Sequence, residues 1–263
     1  MITPLSSEPR TEKVSLLVFH CFALPTRQML SVFQKTGTSV HYLIMRSGRV
    51  LSLVPEDRIA YHAGLSSWGN FSEKINRHSI GIEIQSPTMG QRRYTAAQIK
   101  SLIALTEGIV RRHKIRPENI VGHADIAPYR KPDPGPAFPW GMLADAGIGL
   151  WPEIKAEKKA DGLSPTEGEK LLKQIGYNTV DKTAALWAFV TRFMPEKAEK
   201  QPDIIRREKE VFDYWLGVPT TEIRTRLVEA PTIYPAGANR LFQDPDVAGR
   251  LRQIADSYQN QRS

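Results

Sequence analysis

The sequence predicts an α/β domain followed by a small all-helical one, and three observations carry that reading. Apolar runs of strand length alternate with segments of helical spacing in the first part of the chain. After a stretch rich in Lys, Glu and Ala, only helical spacing remains. The 263 residues are 41% hydrophobic and 24% charged, which supplies a full core and excludes a wholly disordered chain, a collagen or a coiled coil.

Taken in order, residues 14–19 are the first strand, a continuous apolar run that ends where polarity returns at His20. Residues 39–45 and 50–54 read as a hairpin through Arg46, Ser47, Gly48 and Arg49, and 79–85 as a further strand. The strongest helix is 95–113, capped by Thr95, with Ile99, Leu102, Ile103, Leu105, Thr106, Ile109 and Val110 as its apolar stripe. A short last strand follows at 120–123. Residues 127–140 hold five of the 19 prolines, so they form a rigid loop suited to fixing a side chain. Helical spacing returns at 164–175, 182–193 and 202–216, and a polar amphipathic helix at 244–259 closes the chain. The expected domains are therefore 1–156, a linker at 157–162, a small helical domain at 163–217, and an extension at 218–263 with its terminal helix.

Lys and Arg number 36 against 28 Asp and Glu, and the net charge of +8 favours polyanionic partners: nucleic acid, anionic lipid or wall polymer. The interleaved basic and aromatic motif of a nucleic-acid module does not occur, so no nucleic-acid partner is expected. Apolar runs such as 15–19 and 184–190 fall far short of the roughly 18 to 20 residues that span a bilayer, so no integral membrane segment is expected. Cys21, the single cysteine, allows no internal disulfide, which fits a reducing compartment and equally a small exported protein stabilised another way. Residues 1–13 lack the apolar core of a secretory signal. A cytoplasmic location follows, with the periplasm or cell envelope as the alternative if Met1 is not the native start.

His20, His123 and Asp133 stand where a strand ends or a stiff loop bends, and two imidazoles with one carboxylate make a catalytic zinc set. Three protein ligands leave a fourth position for water, whose pKa the metal lowers toward about 7. Spacing alone leaves open the plainer reading of two satisfied core histidines and a turn-forming aspartate. Longer motifs weigh against it. VHYLI at 40–44, LVPEDRIAYHAGLSSW at 53–68, SIGIEI at 79–84 and VGHADIAPYRKPDPGPAFPW at 121–140 closely resemble the zinc-dependent N-acetylmuramoyl-L-alanine amidases of the type 2 family. The resemblance runs from about residue 14 to 152.

What the resemblance implies is specific. The fold would be a mixed central β-sheet flanked by helices, and the reaction hydrolysis of the amide between the lactyl group of N-acetylmuramic acid, or its 1,6-anhydro form, and L-alanine of the stem peptide. His20, His123 and Asp133 match the three zinc ligands, Glu83 the general base and Lys131 the group that steadies the oxyanion. Strand alternation agrees that Glu83 faces away from Ile82 and Ile84. Relatives of the phage lysozyme and peptidoglycan recognition branch carry Tyr before the His of the pair, and many use Cys as third ligand. Here Val40 precedes His41 and Asp133 takes the third position, as in the bacterial branch that relies on Glu and Lys.

His41 and His62 lie within these motifs and are expected either to shape the site and contact substrate or to pack. Trp68 and Trp140 would flank a cleft or close a core edge. His78 and His113 read as structural, and Cys21 as a small buried residue. Residues 163–217 resemble, with degenerate motifs, the three-helix peptidoglycan-binding domain that often follows such a catalytic domain. Peptidoglycan or a muropeptide is the partner implied. The competing class is a non-catalytic peptidoglycan- or muropeptide-binding protein on the same fold, against which the intact ligand, base and lysine positions argue.

Overall fold

The computed structural model describes residues 5–72, 74–151, 161–198, 201–215, 218, 220–227 and 229–262. Residues 157–160 of the expected linker lie outside the described residues. The chain begins with β1 (Ser7–Pro9), β2 (Leu16–Phe22), α1 (Thr26–Thr36), β3 (Tyr42–Ile44), β4 (Val50–Ser52), β5 (Arg58–Ala60), β6 (Ser67–Trp68) and β7 (Phe71–Ser72). There follow α2 (Ile75–His78), β8 (Ser79–Gln85), α3 (Ala96–His113), β9 (Ile120–Gly122), α4 (His123–Ile126) and α5 (Trp140–Asp145). The C-terminal part is helical, with α6 (Pro165–Ile175), α7 (Lys182–Phe193), α8 (Ile204–Trp215), α9 (Ile223–Arg226) and α10 (Pro245–Arg262). Contacts gather these elements into two compact units. The first takes the described residues within Met1–Ser66, Glu73–His123 and Asp133–Leu150, and the second those within Ser67–Ser72, Ala124–Pro132 and Trp151–Ser263.

A five-stranded sheet of order β4-β3-β8-β2-β9 centres the first unit. β2 runs parallel to β8 and β9, β3 parallel to β8, and only β3 and β4 are antiparallel, so the sheet is mixed. All seven residues of β2 are buried, as expected of a strand covered on both faces. β2 reaches Phe22, three residues beyond the apolar run that signalled it. Its pairing with β8 continues to Phe22 and Gln85, while its pairing with β9 stops at Phe19 and Gly122. His20 is thus interior to the strand on one side and the first residue past the ladder on the other.

Helix α3 starts at Thr95 with a full capping box and is tied to the sheet by side chains. Thr95 Oγ1 donates to the Arg46 carbonyl at 2.8 Å, Ser101 Oγ to Gly48 at 2.7 Å, and Gln98 Nε2 to Gln85 at 2.8 Å. β1 and β5 form a separate antiparallel pair. Just after β1, the Arg10 guanidinium donates to the carbonyls of Glu56, Asn76, Arg77, Arg58 and Ser79, which gathers the 56–58 and 76–79 segments around one cation.

The second unit is helical apart from the β6–β7 hairpin. Ser164 and Glu167 form the capping box that starts α6, which packs on α7 and α10. α7 is buried from Ala184 through Phe193 and serves as the central helix of this unit. α10 joins the same core through Val247, Leu251, Ile254 and Tyr258, and Gln174 Nε2 donates to its Ala255 carbonyl at 3.1 Å. Within this unit the Asp125 carboxylate accepts from Arg192 at 2.6 Å and from the Tyr177 hydroxyl at 2.7 Å, all three side chains being buried. Among the described residues no helix is long and apolar enough to cross a membrane.

Candidate metal centre and active site

Register decides which side chains of the sheet share a face. Partnered residues on parallel strands point to the same side, and His20 is paired with Glu83. The β2–β9 ladder pairs Val18 with Val121 and Phe19 with Gly122, so the next residue of β9's chain, His123, comes level with His20. Val18, His20, Gly81, Glu83 and Val121 therefore belong to one face, and Ile80, Ile82 and Ile84 to the other. Glu83 is 9% exposed on that face.

Asp133 joins this row from the proline-rich loop. His20 Nδ1 and His123 Nδ1 are 2.9 Å apart, and Asp133 Oδ2 lies 3.2 Å from His123 Nδ1 and 3.5 Å from His20 Nδ1. Among the described residues this is the group whose donor atoms converge closely enough to hold a metal ion, and all three are buried. The edges of the triangle can be compared with a tetrahedral ion. Bonds of about 2.0 to 2.1 Å place neighbouring ligands about 3.3 to 3.4 Å apart, close to the three distances found. The donor set fits as well, because His123 Nε2 lies 3.3 Å from the Ala63 carbonyl, which only accepts. The Nε2 position therefore carries the proton, and Nδ1 turns a lone pair toward the other donors. A lone pair and a carboxylate facing one another call for a cation between them.

The loop that carries Asp133 is held by close backbone packing. The Asp133–Pro134 peptide is cis, and Tyr94 Oη donates to the Pro134 carbonyl at 2.7 Å. Gly90, at φ 68°, lies so near that an added Cβ would stand 1.8 Å from that carbonyl oxygen. The Ala137 amide in turn donates to the Gly90 carbonyl at 2.9 Å. Cys21 is buried on the same side, its Sγ 3.7 Å from the Pro134 oxygen.

His62 and His41 surround the donors without belonging to them. The His62 ring lies over Gly81, where a Cβ would come within 2.6 Å of it, and its Nδ1 is 2.9 Å from His20 Nε2. Burial and the neighbouring His20 and His41 push the His62 imidazole well below its ordinary pKa. His41 is fully buried, and its Nδ1 accepts from the Gly81 amide at 3.0 Å. Burial lowers its pKa to about 4.

The remaining expected site residues belong to other surroundings. Lys131 lies in the second unit, where its ammonium donates to Glu208 of α8 at 2.5 Å and sits 5.2 Å from the Phe212 ring centre. Trp68 is wholly buried there, edge-on to Tyr177 and Tyr258, so it closes a core and presents no face to a ligand. Trp140 is buried against Phe19 and Phe138. His113 pairs with Glu56 at 2.6 Å, and His78 is 3.3 Å from the Lys13 carbonyl. Sequence reasoning passed over Ser79, Asn76, Gly81 and Gly90. A glycine between two isoleucines in a strand was the available sign that another group approaches the backbone closely at Gly81.

The family model described as N-acetylmuramoyl-L-alanine amidase matches residues 10–136. Among curated relatives, N-acetylmuramoyl-L-alanine amidase AmiD of Escherichia coli (strain K12) is 40% identical over 157 residues, 54% of this chain and 56% of AmiD. The match to this relative thus spans little more than half its length. The 1,6-anhydro-N-acetylmuramyl-L-alanine amidase AmpD of Enterobacter cloacae is 38% identical over 155 residues, 51% of this chain and 81% of AmpD. Among solved structures, AmiD from E. coli in complex with the substrate anhydro-N-acetylmuramic acid-L-Ala-D-gamma-Glu-L-Lys superposes with a TM-score of 0.70 at 26% identity, covering 96% of this chain and 93% of that one. AmpDH3 from Pseudomonas aeruginosa in complex with anhydromuramic pentapeptide gives 0.61 at 30% identity, covering 71% and 85%.

Proposed function

The chain belongs to the N-acetylmuramoyl-L-alanine amidase family, and from that membership we propose that it is a zinc-dependent hydrolase of the bond between N-acetylmuramic acid, or its 1,6-anhydro form, and L-alanine of the stem peptide. The observation that carries the reading is the triangle of His20 Nδ1, His123 Nδ1 and Asp133 Oδ2, with Glu83 in register beside His20. These three residues would hold the ion. Zinc supplies there a Lewis acid that polarises the scissile carbonyl and acidifies water.

The protein's own groups move the protons. Glu83 takes a proton on its carboxylate as water attacks the carbonyl, and passes it to the nitrogen of the departing L-alanine. The family resemblance gives the Lys131 ammonium as the donor for the oxyanion that develops on the carbonyl oxygen, a role for which it would have to leave Glu208. Buried surroundings strengthen such contacts because little water competes for them. All five groups fall within residues 1–156, the catalytic segment in this reading, which leaves 163–217 as a candidate wall-binding segment.

The test is release of stem peptide from a purified anhydromuropeptide and from intact peptidoglycan. Wild type should cleave once loaded with zinc, stop with chelator, and recover when zinc is restored. Glu83→Gln should bind zinc normally yet lose on the order of 10²- to 10⁴-fold in rate. A zinc-loaded wild type that binds muropeptide without cleaving it would instead be the non-catalytic protein of the same fold. Preference for the soluble anhydromuropeptide would go with a cytoplasmic recycling role, and preference for intact wall with the periplasm.

A further inference from the structure

We propose that His62 and Ala63, held together by Asn76, are positioning residues that fix the tautomers of both imidazole donors and so pre-form the metal site. The inference rests on the metal reading above and adds to it which residues outside the ligand set make the ligands competent.

One atom has a fixed role. The Ile75 carbonyl only accepts, and Ser79 Oγ donates its single proton to it at 2.7 Å. Ser79 Oγ is then an acceptor toward His62 Nε2, 3.1 Å away, so Nε2 of His62 carries a proton. A neutral His62 has its lone pair at Nδ1, where it accepts from His20 Nε2 at 2.9 Å. That proton on His20 Nε2 leaves the His20 Nδ1 lone pair directed at His123 and Asp133. Every bond in the chain points the same way, from the ligand outward to a backbone carbonyl.

The next residue performs the same task for the other imidazole. The Ala63 carbonyl accepts from His123 Nε2 at 3.3 Å and leaves Nδ1 of His123 unprotonated. Asn76 Oδ1 accepts from the amides of both His62 and Ala63, at 3.1 and 2.8 Å, and so sets where the ring and the carbonyl stand. Gly81 makes room for the ring, because a Cβ there would collide with it at 2.6 Å. Partners that orient metal-bound histidines commonly account for 10- to 100-fold in metal affinity.

The test compares wild type, His62→Phe and His62→Asn. Phe keeps a ring over Gly81 without nitrogens, whereas the Asn Oδ1 can stand where His62 Nδ1 accepts from His20. The zinc dissociation constant, read by competition with a chromophoric chelator, should weaken about 10- to 100-fold in His62→Phe and return to within about threefold of wild type in His62→Asn. In zinc-loaded wild type, long-range ¹⁵N correlation spectra should show His20, His62 and His123 all protonated at Nε2 alone. Wild-type affinity in a folded His62→Phe, or an Nδ1-protonated His62, overturns the inference while leaving the zinc site standing. Absence of zinc binding by wild type overturns the zinc reading and this inference with it.

Discussion

At the scale of single residues, the site is a row of side chains whose charges depend on one another. Asp133→Ala removes the anionic donor and is expected to weaken metal binding by orders of magnitude while leaving the sheet intact, checked by zinc titration alongside circular dichroism. His41 carries a prediction about pH that does not involve the metal. Its pKa falls from 6.5 to about 4 on folding, because burial disfavours the charged form. Between those values the unfolded chain binds a proton that the folded protein does not, so stability is intact above pH 6.5 and is lost as pH falls toward 4. The full effect is about 3 kcal/mol. Urea unfolding of chelator-treated protein should show this slope in wild type and a shallower one in His41→Asn, whose Oδ1 can still accept from the Gly81 amide.

At the scale of elements, the stiff loop after β9 matters more than its own sequence suggests. Its prolines remove backbone freedom, but the segment is held in place by the β8–α3 connection, where Gly90 and Tyr94 meet Pro134. Gly90→Ala would place a Cβ within 1.8 Å of a carbonyl oxygen at a residue with φ 68°. The expected outcome is loss of metal affinity together with a lower thermal midpoint, and unchanged zinc binding would show that the loop adapts. The element boundaries themselves were largely legible. β8, α7 and the Thr95 cap follow from apolar period and capping chemistry, which are local properties. β1, β5 and α1 were not legible. β1 and β5 are three residues each and exist through pairing with each other, and α1 has Pro25 at its N-cap position with no side-chain cap and buries only Met29.

At the scale of the whole molecule, two sources of stability can be separated. Metal binding to the folded state would add about 2.7 kcal/mol when free ion exceeds its dissociation constant a hundredfold. Chelation should therefore lower the thermal midpoint and zinc should restore it. In the second unit, Arg192 and Asp125 form an ion pair among buried groups. Arg192→Ala removes the cation from a buried carboxylate and is expected to cost about 3 to 5 kcal/mol in denaturant melts.

The sequence by itself determined the main strands and helices and the chemistry available to them. A mixed sheet with helices, a helical C-terminal part, and the named residues His20, His123, Asp133, Glu83 and Lys131 could all be stated from pattern and resemblance. Tertiary structure alone decided their company. Spacing in the chain does not encode that Nδ1 atoms 103 residues apart meet at 2.9 Å. Nor does it reveal that Trp68 turns into a core, that Lys131 meets Glu208, or that Ser79 starts the chain of hydrogen bonds ending at His20. Period and capping are set by neighbours a few residues away, whereas register, close packing and tautomer are set by partners that only the folded chain brings together.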